Sequence, residues 1–363
     1  MTNESKTGSR IYRYFNKRLH LDSLREFASR KKVPSHKHSA VYYTGGITLF
    51  LFIIQVCSGI LLLMYYKGSA ETAFESVRYI MSEVQFGWLI RDIHSWSANL
   101  MILFAFLHMF SVYFTKAYRF PRELTWLSGM MLLVLSMGFG FSGYLLPWNE
   151  LAFFATKVGT DMAGAVPLIG EPLLKLLRGS EDVTGATLSR FFGIHVAILP
   201  GLFMIFLSFH LILIQRQGIS EPVSWEKLPP EKKKYTPFFP NFIMKDISLW
   251  LVILAGVAAL SVFFPWELGT KADPFAPAPQ GIKPEWYFLF MYQTLKFIPA
   301  HVIGIEGEVF GIMAFAIGAI LWTFVPFFDN DKRKERVSRF FNYAGIIIVV
   351  YVVILTVLGH YLE

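Results

Sequence analysis

His94-Ser-Trp-Ser-Ala-Asn-Leu-Met-Ile-Leu-Phe-Ala-Phe-Leu-His108 and His195-Val-Ala-Ile-Leu-Pro-Gly-Leu-Phe-Met-Ile-Phe-Leu-Ser-Phe-His210 decide the reading of this chain. Each is an uncharged apolar run closed at both ends by histidine, with intervals of 14 and 15 residues. At about 100° per residue, 14 steps return to within roughly 40° of the start and 15 steps to within roughly 60°. Each pair therefore shares one helix face, about 21 to 22 Å apart along the axis. That puts one histidine near each surface of a bilayer, twice over. Ionisable groups in hydrocarbon are costly and usually have a functional partner. Two antiparallel helices so equipped supply two bis-imidazole sites stacked across a membrane, and neutral imidazole is a normal axial ligand of haem iron. A lone membrane histidine would read as a satisfied hydrogen-bonding residue, but four at this spacing point to haem. His20, His36, His38, His301 and His360 keep the plainer reading.

Glycines repeat the interval. Gly45 and Gly59 are 14 apart in the preceding apolar run, as are Gly129 and Gly143 in the run between the histidine segments. Small residues permit close helix packing, so one pair alone says little. The shared interval predicts helices one to four enclosing two flat porphyrins, with side-chain-free patches at each level. Antiparallel order pairs His94 with His195 near one face and His108 with His210 near the other. Two axial imidazoles leave no open iron position, so such sites carry electrons.

The rest of the chain agrees with a membrane setting. Of 363 residues 54% are hydrophobic and only 17% charged, against about 25% charged in a soluble domain. That excludes disorder and a soluble globule. The single cysteine, Cys57, excludes a disulfide framework and Cys-ligated zinc or iron–sulfur sites, and reads as a packed small apolar residue. Seven runs, at 41–64, 93–115, 126–146, 191–214, 247–265, 305–327 and 341–360, approach the roughly 20 residues a crossing needs. The fold class is an all-α integral membrane protein. Loops on the N-terminal side hold 24 of the 34 Lys and Arg and 11 of the 26 Asp and Glu, so the two faces net +13 and −5. The positive-inside rule puts the N-terminus in the cytoplasm, or in a matrix or stroma, and Glu363 opposite. This asymmetry accounts for the net charge of +8 without nucleic acid. Residues 1–40 lack a signal peptide's apolar core. Ile11, Tyr14, Phe15, Leu19, Leu24 and Phe27 recur at helical spacing among basic residues, as in an interfacial helix.

At this point the chain resembles cytochrome b of the quinol-oxidising cytochrome bc complexes, over roughly residues 30–345. Beyond the histidine and glycine intervals the likeness rests on Arg91-Asp-Ile-His94, Gly143-Tyr-Leu-Leu-Pro-Trp148 and above all Pro284-Glu-Trp-Tyr287. Pro121-Arg-Glu-Leu-Thr-Trp126, Leu176-Leu-Arg-Gly179 and Gln217-Gly-Ile-Ser220 look like the chloroplast form, as does the 15-residue interval. Ile282-Lys-Pro-Glu-Trp-Tyr-Phe-Leu-Phe290 and Lys245-Asp246 look mitochondrial. The resemblance implies a quinol-oxidation pocket on the acidic face, lined by Tyr144, Pro147, Pro284, Glu285, Trp286 and Tyr287, with Glu285 taking or relaying a quinol proton. Trp286 and Tyr287 alone would read as an interfacial belt. It further implies a Rieske iron–sulfur subunit that takes one electron, a c-type haem subunit, a quinone pool and a dimeric complex in an energy-transducing membrane such as a bacterial inner membrane. The second electron would cross from the low-potential haem of His94 and His195 to the haem of His108 and His210. At the basic face Lys245, Asp246 and Gln215 would meet a reducible quinone, although a Lys–Asp pair is also ordinary at a helix start.

Three departures stand out. Tyr43 occupies the place where the chloroplast form has a cysteine tethering an extra haem, so no covalent link is expected there. Ser111 replaces an arginine that faces a haem propionate, a charge that Lys116 or Arg119 could supply. Arg91 keeps its counterpart near His94. By role the chain divides into a basic arm (1–40), a four-helix di-haem bundle (41–220), a basic linker (221–246) and a three-helix half (247–363). Residues 150–190 read as short helices lying over the oxidation pocket. Two other classes fit less well. A two-haem dehydrogenase anchor needs neither the last three spans nor Pro284–Tyr287, and a proton-relay transporter would show internal duplication.

Overall fold

A computed structural model describes residues 3–226, 228–329 and 335–362. Glu363, and the side chains of Leu24 and Phe27, lie outside the described residues. Hydrocarbon offers backbone groups no partner, so apolar runs of this length resolve into helices that satisfy themselves. Among the described residues six helices are long and apolar enough to cross a membrane, and the shorter apolar helix Gly307–Thr323 stands at the expected sixth span.

In chain order, α1 (Asn3–Leu19) and α2 (Leu21–Arg30) lead into α3 (Thr44–Leu63), the short α4 (Ala73–Ser82), α5 (Gly87–Phe114) and α6 (Glu123–Tyr144). Then come α7 (Glu150–Gly164), α8 (Gly170–Arg178) and α9 (Gly185–Gly193), which continues through a π-helical turn, Ile194–Ile198, into α10 (Leu199–Gln217). The C-terminal half holds α11 (Ile243–Phe263), α12 (Trp286–Phe297), α13 (Gly307–Thr323), the single turn α14 (Val325–Phe328) and α15 (Glu335–Tyr361). Neither α4 nor α12 follows from the apolar runs. The Pro284–Tyr287 segment, which lies between the expected fifth and sixth spans, turns at Trp286 into the first turn of α12.

The basic arm is helical, with Ile11, Tyr14, Phe15 and Leu19 exposed. Strand β1 (Lys32–Pro34) pairs antiparallel with β2 (Tyr235–Pro237), Val33 opposite Thr236, and fastens the arm to the linker. A second strand pair, β3 (His301–Val302) with β4 (Ile305–Glu306), precedes α13.

Helix α3 packs along α5, α6 along α10, and α5 against α6, forming the four-helix bundle. Its middle is filled by Leu51, Met101, Leu135 and Phe203, with Phe52 stacked on Phe203 at 4.3 Å between centroids. Helix α11 leans on α5 and α3, while α12 pairs with α15. Cys57 faces outward from α3 and is exposed, not packed as its apolar neighbourhood suggests, because the inward stripe of that turn belongs to Ile54 and Ser58.

Candidate functional site

The four histidines come together in two layers. His94 on α5 and His195 in the π turn face each other with ring centroids 6.4 Å apart, and His210 is the neighbouring histidine of His108. The glycines touch these rings directly. A Cβ added to Gly143 would lie 2.7 Å from Cε1 of His195, at Gly45 2.9 Å from His108, at Gly129 3.2 Å from His210 and at Gly59 3.3 Å from His94. The interval read as room for a porphyrin thus also seats the imidazole edges, α3 serving α5 and α6 serving α10.

The residue before each of these glycines carries a hydroxyl. Thr44 Oγ1 is 3.1 Å from His108 Nδ1, Ser58 Oγ 2.9 Å from His94 Nδ1, Ser128 Oγ 2.9 Å from His210 Nδ1 and Ser142 Oγ 3.1 Å from His195 Nδ1. The Ser/Thr-Gly dipeptide recurs at the same 14-residue interval, a signal the glycine reading passed over. With each Nδ1 so engaged, Nε2 is the atom each ring offers a metal, and two imidazoles per layer fit the axial demand of haem.

A cavity of about 220 Å³ opens beside the His94–His195 layer, the upper one, lined by Phe141, Tyr144, Pro284, Glu285, Met162 and Met291 among others. Phe141 and Tyr144 flank Ser142 and Gly143, the residues that hold His195. Ala155, Val158 and Gly159 of α7 form one wall, so of the short helices in 150–190 it is α7 that meets the cavity. Asn149 starts α7 as an N-cap, its side chain accepting from the Ala152 amide at 2.9 Å. Buried Arg178 ties α8 back to it, donating to Thr160 Oγ1, Asp161 Oδ1 and the Lys157 carbonyl at 2.7 to 2.8 Å. Burial raises the Glu285 carboxyl above its ordinary range.

Three residues expected in this pocket do not line it. Trp286 donates its indole N–H to Asn99 Oδ1 at 2.8 Å. Tyr287 is buried with its hydroxyl against Gly140. Pro147 lies in the half-buried turn after α6. Trp286 and Tyr287 anchor the motif to α5 and α6.

The basic-face residues are not gathered in one place. Gln215 accepts from Lys31 Nζ in a cleft of about 150 Å³ with Lys32, Val33, Ile214 and Phe238. Asp246 has other neighbours, its carboxylate lying against Gly46, and among the described residues neither its Oδ1 nor the buried Trp250 indole N–H has a hydrogen-bond partner. Lys245 is exposed, and Tyr43 stacks on Phe242 at 4.5 Å. Arg91 is bound to Asp92, at 3.2 Å, and to the Trp266 carbonyl. Lys116 and Arg119 do not stand in for the missing arginine. Both turn to buried Asp329, at 3.2 and 2.7 Å, with Tyr118 donating to the same carboxylate at 2.5 Å.

Comparison with known proteins bears on this arrangement. The family model Cytochrome b/b6/petB matches residues 29–218 and Cytochrome b(C-terminal)/b6/petD matches 271–362. The chain belongs to the cytochrome b family. A cytochrome bc complex cytochrome b subunit of Chlorobaculum thiosulfatiphilum is 48% identical over 94% of this cytochrome b and 79% of the relative. A cytochrome b6 of Crocosphaera subtropica is 42% identical over 61% of the chain and 100% of its own length. Among solved structures, a hyperthermophilic respiratory Complex III chain superposes with a TM-score of 0.85 at 31% identity, covering 97% of this cytochrome b and 92% of that chain.

Proposed function

We propose that this cytochrome b, a subunit of a cytochrome bc complex, oxidises quinol at the cavity of Tyr144 and Glu285. One electron passes to a Rieske iron–sulfur subunit and the other crosses to a quinone at the basic face, coupled to proton translocation. A c-type haem subunit, a dimeric assembly and a cytoplasmic N-terminus complete the reading. The observation that carries it is adjacency. The residues walling the cavity, Phe141 and Tyr144, bracket those that touch His195. A quinol head there would be walled by residues adjacent in sequence to those that hold His195.

His94 with His195, and His108 with His210, would hold two non-covalent b haems, which would supply one-electron conduction between the two histidine layers. Glu285 accepts a quinol hydroxyl proton. Its apolar surroundings keep water out and keep the carboxyl neutral to higher pH than a solvated one. Tyr144 lines the same wall and orients the head. Trp286 and Tyr287 hold the motif in place through Asn99 and Gly140. Arg91 and Asp246 are candidates for a propionate and a quinone contact respectively.

The test is quinol oxidation by the purified complex against pH. A proton acceptor works only when ionised, so the rate rises with pH through a carboxyl pKa above the usual range, and Glu285→Gln removes that limb with both haems retained. An unchanged profile in the variant would exclude Glu285 as the acceptor. A pyridine haemochrome count other than two per chain would overturn the four-histidine assignment.

A further inference from the structure

A hydroxyl has one hydrogen to give. At all four histidines a backbone carbonyl three or four residues earlier in the chain takes it. Ser58 donates to Ile54 at 2.6 Å, Thr44 to Val41 at 2.7 Å, Ser128 to Thr125 at 2.9 Å and Ser142 to Phe139 at 3.3 Å. The oxygen therefore meets Nδ1 with a lone pair, and Nδ1 carries the ring proton. Carbonyls only accept, so a second contact makes the same point on α10. The Phe139 carbonyl also lies near the His195 ring, and the Thr125 carbonyl near that of His210. Among the described residues, the Ser58 and Thr44 hydroxyls are the hydrogen-bonding contacts of the His94 and His108 rings.

We propose that Thr44, Ser58, Ser128 and Ser142 are positioning residues that fix Nε2 as the ligating atom and set the reduction potential of each site, with Ser58 and Thr44 carrying the larger share. This rests on the reading of the four histidines as haem ligands. An N–H donated to an acceptor makes the opposite nitrogen a stronger donor and favours the oxidised metal. Removing the acceptor weakens that donation and raises the potential. On α3 the hydroxyl is the ring's acceptor, whereas on α6 a carbonyl remains when the hydroxyl is gone.

The experiment is an optical redox titration of the purified complex bearing Ser58→Ala, Ser58→Thr or Ser142→Ala. Ser58→Ala is expected to favour the reduced form of the His94/His195 haem by on the order of tenfold, about 59 mV for one electron. Ser58→Thr, which keeps the hydroxyl, restores the potential, and Ser142→Ala shifts it by less. Equal shifts in Ser58→Ala and Ser58→Thr would assign the effect to packing and overturn the proposal, as would no shift in either. Should Ser58→Ala fail to assemble, Thr44→Val against Ser128→Ala poses the same contrast at the other layer. Two b-type transitions in the wild type with no selective shift count against the hydroxyls alone. Absence of b-type transitions counts against the haem reading itself.

Discussion

The α3–α5 and α6–α10 pairs hold their histidines with the same Ser/Thr-Gly dipeptide at the same interval, yet by different backbones. Helix α5 is regular from Gly87 to Phe114, and its histidines are 14 apart. The partner helix places His195 inside a π turn, and its interval is 15. A π turn takes up one extra residue without changing where the rest of the helix points. Fifteen residues with one π turn thus end in the same phase as fourteen without. What the pairs share is ring position and not residue count.

The sharpest way to break this equivalence is to add a residue where no π turn is present to absorb it. One alanine inserted between Phe104 and Ala105 turns His108 by about 100° against His94. Loss of at least one b haem per chain is expected by pyridine haemochrome assay. Retention of both would mean that α5 can form its own π turn.

The pairs also differ in how their basic-face ends are tied down. The end of α5 is fixed by buried ions, Lys116 and Arg119 on Asp329. The end of α10 is held by Arg122, which donates to the Gly218 and Gln217 carbonyls at 2.7 and 3.0 Å. Asp329→Asn leaves two buried cations short of an anion, a loss of about 3–5 kcal/mol. Arg122→Gln removes charge-assisted bonds to neutral carbonyls, about 1.5–3 kcal/mol. The temperature at which haem is released in detergent should fall further in the first variant, and the reverse order would mean that the ion cluster is not what anchors α5.

A smaller contrast lies in the glycines. Gly143→Ala drives a methyl to 2.7 Å from His195, so the ring has to move, whereas Gly59→Ala at 3.3 Å asks a few tenths of an ångström of His94. Broadening and a shift of the upper haem's absorption band are expected in the first and near wild-type spectra in the second.

Much of this was legible because membrane helices are written as long apolar runs and haem-type sites as fixed intervals. His94, His108, His195, His210 and the four glycines appear at their levels from counting alone. The Pro284–Tyr287 motif indicated the cavity, though only Pro284 and Glu285 of it line the wall, since Trp286 and Tyr287 turn back to Asn99 and Gly140. Contacts across long separations left no local trace. Asp329 meets Arg119 from 210 residues away and Lys31 meets Gln215 from 184, and no periodicity announces either. The hydroxyls before the glycines were visible as a repeat, but their use depends on which side of each helix faces the ring.

The smallest effect expected is the most informative about the comparison. Deleting Ala197 shortens the His195–His210 interval to 14 and takes from the π turn its extra residue. The turn then closes as ordinary α-helix, with His195 still against Gly143 and Ser142, and His210 still against Gly129 and Ser128. Both haems and their spectra should survive, with stability unchanged or slightly raised, because π hydrogen bonding is a rarely used geometry in regular helices. If deletion instead expels the upper haem, the π turn does more than absorb a residue. It would then set the direction from which the His195 imidazole approaches, and the two pairs would be equivalent in level but not in ligand angle.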